Sequence, residues 1–86
     1  MTKQQYDRAI ERLIDQALAE KVVTYNRHGV GSFSLDPSLL PADLPTDKYG
    51  CYDSIILSGN GSAQTRNKGG RCYIMFDIDP EFTIEA

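Results

Sequence analysis

Apolar residues at helical spacing mark the N-terminal part of the chain. They recur at intervals of three and four and so fall on one stripe of an α-helix: Tyr6, Ile10, Leu13, Ile14, Ala17 and Leu18. Thr2 and Gln5 have the spacing of a capping box, in which each side chain accepts a hydrogen bond from the other residue's backbone N–H. The pattern therefore predicts an amphipathic helix from near Thr2 to about Glu20.

A strict alternation of apolar and other residues occupies positions 71–79. One face of the strand that it predicts holds Cys72, Ile74, Phe76 and Ile78. The other face holds Tyr73, Met75, Asp77 and Asp79. The first face is apolar throughout, so we expect the N-terminal helix to cover it.

Three other segments have weaker strand patterns. Residues 22–27 and 32–35 are rich in β-branched and aromatic residues and flank a glycine-containing break, which predicts a hairpin. Residues 51–58 alternate without showing which face is buried. Between these strands, Asp36 followed by Pro37 is typical of a short helical turn.

The segment 59–70 contains no acidic residue and no large apolar residue. It is rich in glycine and asparagine and carries Arg66 and Lys68, with Arg71 directly after it. We interpret it as a long, flexible, basic loop, and connections of that length are often functional. Its glycine amides and cations are suited to a phosphate, although the spacing matches neither a Walker loop nor a dinucleotide fingerprint.

These elements predict the α+β class in a single domain, residues 1–86. An N-terminal amphipathic helix would pack on a mainly antiparallel sheet of about four strands. Those strands are expected near residues 22–27, 32–35, 51–58 and 71–79, with a short extended piece after them at the C-terminus. A doubly wound parallel sheet is excluded because it needs a crossover helix between strands.

Composition narrows the class of protein. With 86 residues, 41% of them apolar and 24% charged, the chain has the composition of a globular protein. No apolar run is long enough for a membrane-spanning helix, and the N-terminus lacks the pattern of a signal peptide. We therefore expect a cytoplasmic protein without membrane partners, in which Cys51 and Cys72 remain reduced thiols.

The formal net charge of −3 conceals blocks of opposite sign. Residues 36–58 are mainly acidic, residues 59–75 carry only basic charges, and residues 76–86 carry only acidic charges. A chain with such local patches has no overall basic field, so strong nonspecific binding to nucleic acid is not expected.

Two groups of residues are candidates for binding. The acidic C-terminal group would contact a protein partner and consists of Asp77, Asp79, Glu81 and Glu85. The second group lies in or beside the basic segment and would contact nucleic acid or a partner: Asn60, Arg66, Lys68, Arg71 and Tyr73. Tyr52, on the strand before that segment, would add a second aromatic for base stacking.

Catalytic chemistry has weaker support in the sequence. The single histidine, His28, lies in the predicted hairpin turn, and a cysteine-dependent enzyme would need it beside Cys51 or Cys72. Asp77 and Asp79 share one side of a strand, but two alternate carboxylates are common without a metal. We therefore predict no cofactor and no metal site.

The first functional hypothesis is a small non-enzymatic protein that acts by direct contact with another protein, including a nucleic-acid-binding complex. Small acidic proteins without motifs are often products of phages or mobile elements that inhibit host machinery, and anti-CRISPR proteins belong to this kind. The alternatives are an RNA- or single-stranded DNA-binding module that uses the basic segment, and the cysteine-dependent enzyme. A homodimer formed through an exposed edge strand is a further expectation.

Overall fold

One α-helix, one short 3-10 helix and five strands form the part of the chain that the structure, a computed structural model, describes, namely residues 1–56 and 61–77. The helix, α1, is Lys3–Glu20. The strands are β1 (Thr24–Tyr25), β2 (Gly31–Leu35), β3 (Cys51–Ile56), β4 (Gly61–Lys68) and β5 (Arg71–Asp77). The predicted α+β class is confirmed, with one strand more than expected. The extended piece predicted after residue 79 lies outside the described residues.

The strands form one antiparallel sheet in the order β1-β2-β5-β4-β3. β5, whose sequence alternates most regularly, therefore lies at the centre of the sheet. The register aligns one buried residue from each of four neighbouring strands on the same face, from β2 to β3: Phe33, Ile74, Thr65 and Tyr52. This row is the middle of the hydrophobic core.

Helix α1 has the boundaries that the sequence predicted. Thr2 N donates to Gln5 Oε1 at 2.8 Å and Gln5 N donates to Thr2 Oγ1 at 3.2 Å, which completes the capping box. At the other end Lys21 adopts the left-handed conformation, with φ of 60°, and the N–H of Val22 reaches back to the Ala17 carbonyl. These bonds satisfy backbone groups that a helix end would otherwise leave unpaired.

The helix covers one face of the sheet with its apolar stripe. Ile10 and Ile14 are almost completely buried among the side chains of the sheet. The sheet contributes the apolar face of β5, where Cys72, Ile74 and Phe76 are all buried. The predicted core face is thus confirmed as far as Phe76, while Ile78 lies outside the described residues.

Polar contacts attach the first turns of α1 to the edge strand β3. The carboxylate of Asp7, which is only 4% exposed, accepts a hydrogen bond from the Tyr52 hydroxyl at 2.7 Å. Lys3 lies 3.2 Å from the same carboxylate and also donates to the backbone carbonyl of Asp53. A buried carboxylate needs such partners to offset its loss of hydration, so these contacts hold the helix in one position over the sheet.

The predicted hairpin forms, with a shorter first strand than expected. β1 contains only Thr24 and Tyr25, and the side chain of Asn26 closes the turn by accepting from the N–H groups of His28 and Val30. The turn takes up residues that the β-branched pattern had assigned to the strand, because Asn26 favours a side-chain-capped turn over an extended backbone.

The predicted helical turn after β2 is a 3-10 helix, Pro37–Leu39, capped by the Asp36 side chain. Leu39, the last residue of this helix, is exposed, whereas Leu40 and Leu44 after it pack against the core.

The predicted flexible loop at residues 59–70 is wrong where the structure describes it. Residues 61–68 form β4, which pairs with β3 on one side and with β5 on the other. Gly69 and Gly70, with φ of 60° and 78°, make the turn into β5. Two consecutive positive φ angles are typical of the type I′ hairpin turn, which follows the right-handed twist of the strands.

We expect Phe76→Ala to lower the free energy of unfolding by about 3–5 kcal/mol, because it empties a buried site in the core. The Phe76 ring is 4% exposed and makes edge contacts with Phe33 and Tyr25 at centroid distances of 6.3 and 6.4 Å. Urea unfolding followed by circular dichroism measures the loss.

The matched control is Met75→Ala, one residue earlier on the same strand. Met75 points away from the helix and is 50% exposed, so its truncation should cost less than about 1 kcal/mol. Equal losses for the two variants would contradict the assignment of the faces of β5.

Candidate functional site

The face of the sheet opposite α1 is uncovered in the described part of the chain. Strand alternation places on it every second residue of β5 and β4: Arg71, Tyr73, Met75 and Asp77, with Ser62, Gln64, Arg66 and Lys68. Ser32 and Ser34 of β2 and Asp53 of β3 extend it to both sides. We call this surface the open face. All eight side chains from the two central strands have at least partial contact with solvent.

The centre of the open face is apolar. Tyr73 and Met75 follow each other along β5 and are 43% and 50% exposed. Arg66 lies directly opposite Tyr73 on β4, and Gln64 lies opposite Met75. Beside them is a concavity of about 610 Å³, which we call the Tyr73 basin, lined by Ser32, Gln64, Arg66, Lys68, Gly69, Tyr73 and Met75.

One end of the open face is positively charged. Arg66, Lys68 and Arg71 form this basic cluster, in which Lys68 is paired directly with Arg71 across the strands. Like charges at opposed positions destabilise a sheet, so this pairing carries a small cost to the fold. Arg71 donates to Ser34 Oγ at 3.0 Å. Within the described ranges, neither Arg66 nor Lys68 forms an ion pair.

Asp36 is close enough to the basic cluster for its charge to interact with that of Arg71. Hydrogen bonds from Ser38 hold the pKa of Asp36 below its usual value, and the positive charge of Arg71 lowers it further. Asp36 therefore remains ionised in the physiological range and partly offsets Arg71.

The opposite end of the open face carries Asp77, which ends β5 and is exposed. Ile55 of β3, which is 57% exposed, lies at the same end through its pairing with Ser62. Asp53, also on β3, is level with Gln64 and Met75 and accepts a hydrogen bond from Gln64 Nε2 at 3.1 Å. The open face thus runs from positive through apolar to negative along β5, as the alternation of residues 71–77 implies.

The structure assembles part of the predicted site residues. Arg66, Lys68, Arg71 and Tyr73 lie together, although on two paired strands and not on a loop. Of the predicted acidic group, Asp77 is described, while Asp79, Glu81 and Glu85 lie outside the described residues, as does Asn60. The acidic group therefore stays a prediction.

Tyr52 does not share a surface with Tyr73. It is buried on the face that α1 covers, where its hydroxyl is bonded to Asp7. The two tyrosines therefore cannot make the stacking surface that their flanking positions suggested.

Gln64 and Ser32 belong to the Tyr73 basin and were not identified from the sequence. A glycine pair between two extended segments is a signal for a tight hairpin. Gly69 and Gly70 could therefore have indicated that the residues before them, including Gln64, form a strand paired with β5.

The two cysteines form no disulfide with each other, and Cys72 is buried whereas Cys51 is only partly buried. They are on β3 and β5, which β4 separates, and their side chains belong to opposite faces of the sheet. His28 lies exposed in the β1–β2 turn, beside the opposite edge of the sheet from Cys51. Burial raises the pKa of the Cys72 thiol. In the part of the chain that is described, no thiol is brought to the histidine.

The outer edge of β3 is partly occupied by the protein itself. The backbone N–H of Cys51 donates to the Asp47 carboxylate at 3.0 Å, and the Cys51 carbonyl accepts from Asp47 N at 2.8 Å. Lys3 takes up the carbonyl of Asp53 in the same way. The other edge strand, β1, has only two residues. The homodimer through an edge strand stays a prediction. At Cys51 and Asp53, backbone groups that such a dimer would use already form hydrogen bonds within the chain.

No protein-family model, curated protein or solved structure matches this chain. Among the described residues, no helix combines the length and the apolarity needed to cross a membrane. The same residues contain no group of three or more metal-ligating side chains close enough to hold an ion.

We expect Tyr52→Phe to cost about 1–3 kcal/mol of stability, since the variant leaves the buried Asp7 carboxylate without its hydroxyl donor. It should also change the response to alkaline pH. Burial, with the Asp7 hydrogen bond, raises the pKa of Tyr52 above the ordinary value of 10.0. The stability that the protonated Tyr52 hydroxyl contributes is fully present below that value and is lost as the pH rises towards the pKa of the folded state.

Urea unfolding at neutral pH and above pH 10 tests both effects. The variant should lose less stability than the wild type over the alkaline step. An identical alkaline loss in the two proteins would contradict this role of Tyr52. Tyr73→Phe, which changes an exposed tyrosine, is the matched control.

Cys72 should resist iodoacetamide in the native protein, because it is fully buried and its raised pKa keeps the thiolate scarce. Cys51 is partly exposed and should react first. Mass spectrometry of peptides, with and without urea, gives both rates. Fast alkylation of native Cys72 would contradict the burial and would favour the cysteine-dependent enzyme.

Proposed function

We propose that this chain is a small non-enzymatic binding protein that acts by direct contact with another protein through the open face. The observation that carries the proposal is the half-exposed pair Tyr73 and Met75 at the centre of a sheet, with Arg66 beside them. Tyrosine, methionine and arginine are the side chains enriched at protein interfaces, and the residues that contribute most to binding tend to be central.

The surroundings of this pair support the same proposal. Polar and charged side chains border the apolar centre: Ser32, Gln64, Lys68, Arg71 and Asp77. An apolar centre within a polar rim is the usual arrangement of a protein-binding surface. β5 is held by strands on both sides, so a partner would meet a surface that is already ordered.

The charge pattern suggests how a partner would be oriented. A partner complementary to the open face presents acidic groups to the basic cluster and basic groups to the end at Asp77. The acidic residues that follow in the sequence, Asp79, Glu81 and Glu85, would extend that second contact. A nucleic-acid-binding groove in the partner would supply the basic groups.

Within this class we propose an inhibitor of host machinery from a phage or mobile element, comparable to the anti-CRISPR proteins. The support is compositional: 86 residues, a net charge of −3 and no catalytic motif in the sequence. We also propose a cytoplasmic location, because a reducing compartment keeps thiols such as Cys51 and Cys72 free.

An RNA- or single-stranded DNA-binding module is the second candidate. The arrangement of Arg66, Lys68, Arg71 and Tyr73 on one exposed sheet surface favours it, since some RNA-binding domains stack bases on aromatic residues of an open sheet. It explains less of the open face, because a strand of phosphates running along β5 would meet Asp77.

Site-specific photocrosslinking in extracts of the native cell tests the proposal. Benzoylphenylalanine in place of Tyr73 should crosslink to one discrete protein, and nuclease treatment should not remove the product. Tyr25, which is 60% exposed and lies on the edge strand β1, on the opposite face of the sheet from Tyr73, is the matched control position. The same probe there should give no discrete product.

A second substitution tests whether the crosslink depends on binding through the open face. Adding Met75→Asp to the Tyr73 probe should abolish the product, whereas adding Leu39→Asp should not, because Leu39 is exposed outside the open face. A product that nuclease removes would support the nucleic-acid candidate. A product unaffected by Met75→Asp would contradict binding through the open face.

A further inference from the structure

We propose that the Tyr73 basin is the docking site for an acidic segment of a protein partner, in which carboxylates lie on one side of a single large apolar side chain. The inference rests on the proposed function and names the chemistry of the partner for the same face. It follows from three features of the basin: its floor, its cations and its acidic boundary.

The floor accepts an apolar side chain. Tyr73 and Met75 lie side by side along β5 and expose about half of their surface. The concavity of about 610 Å³ beside them is within the size range of small-ligand pockets. An aromatic or aliphatic side chain inserted there would remove both residues from water, and methionine adapts well to the shape of such an anchor.

The cations Arg66 and Lys68 would bind carboxylates of the segment next to that anchor. Arg66 stands directly opposite Tyr73, and Lys68 follows two positions further along the same strand. Neither forms an ion pair within the described residues. The paired positions of Lys68 and Arg71 also hold two like charges together. A carboxylate bound between them would relieve that repulsion, and Arg66 can bind one through two parallel hydrogen bonds.

The acidic boundary favours a protein segment over a nucleic acid. Asp77 lies at the other end of the open face, and Asp53 lies on its β3 side beside Gln64, so the positive potential covers only part of it. A polynucleotide carries a phosphate at every step and would bring some of them to these carboxylates. A segment with its carboxylates beside one apolar anchor meets the cations and the floor without reaching the acidic end.

Fluorescence anisotropy with a defined probe tests the proposal. The probe is a fluorescein-labelled peptide, Asp-Glu-Asp-Phe-Gly-Ser-Gly, measured against the full chain at low salt. Arg66→Glu combined with Lys68→Glu should weaken the binding of the peptide by about tenfold or more. The two cations that would attract its carboxylates are replaced by carboxylates that repel them. Replacing the peptide's Phe with Ser should weaken binding to a similar extent, because the anchor is lost.

The control variant makes the same change in net charge elsewhere. Arg12→Glu combined with Arg27→Glu alters exposed residues of α1 and of the β1–β2 turn and should change the affinity by less than about twofold. Urea unfolding confirms that each variant folds. If the double Glu variant unfolds, Arg66→Gln with Lys68→Gln replaces it and should still weaken binding.

Three results would overturn the inference. The peptide fails to bind the wild type, the two charge-reversal variants weaken it equally, or an oligouridylate binds more tightly than the peptide and is lost with Arg66 and Lys68. The inference fails alone if the Tyr73 crosslink to a discrete protein is obtained while the peptide does not bind. The proposed function fails alone if the peptide binds as expected and no discrete protein is crosslinked.

Discussion

A single helix can cover only one face of a sheet, and the rest of this structure depends on that constraint. Ile10 and Ile14 of α1 seal the face formed by Cys72, Ile74 and Phe76, and the Asp7–Tyr52 hydrogen bond fixes the helix over β3. Within residues 1–56 and 61–77, no second α-helix covers the other face. Serine, glutamine and the charged residues of that face tolerate water well. Tyr73 and Met75 are large side chains that are about half exposed there, and the proposed contact with a partner rests on them.

β5 supplies both the core and the candidate site, since its alternate residues point to opposite sides. This arrangement couples stability to binding geometry. Packing of Ile74 on the core side fixes the backbone that presents Tyr73 and Met75, so the distance between these two side chains is set by the strand and not by a flexible connection.

The sequence was informative where one element alone determines the pattern. The stripe of α1 and the alternation of β5 are each complete in their own residues, so both were predicted correctly. β4 was missed because its burial depends on its neighbours. Ala63 and Thr65 of β4 are small and do not by themselves make an apolar pattern. They are buried because larger side chains on the neighbouring strands surround them: Phe76 and Ile74 on β5 and Tyr52 on β3. The cations of the site were identified, but their pairing required a register that no local pattern contains.

The two-residue turn at Gly69 and Gly70 has a consequence for the entropy of binding. A flexible loop that carried Arg66 and Lys68 would have to be ordered by its ligand, at about 1–2 kcal/mol for each backbone residue fixed. In this fold the ladder with β3 and β5 has already ordered β4 during folding. The backbone that carries the cations is therefore preorganised. The proposed partner would not have to order that backbone, so a larger share of its contact energy would appear as affinity.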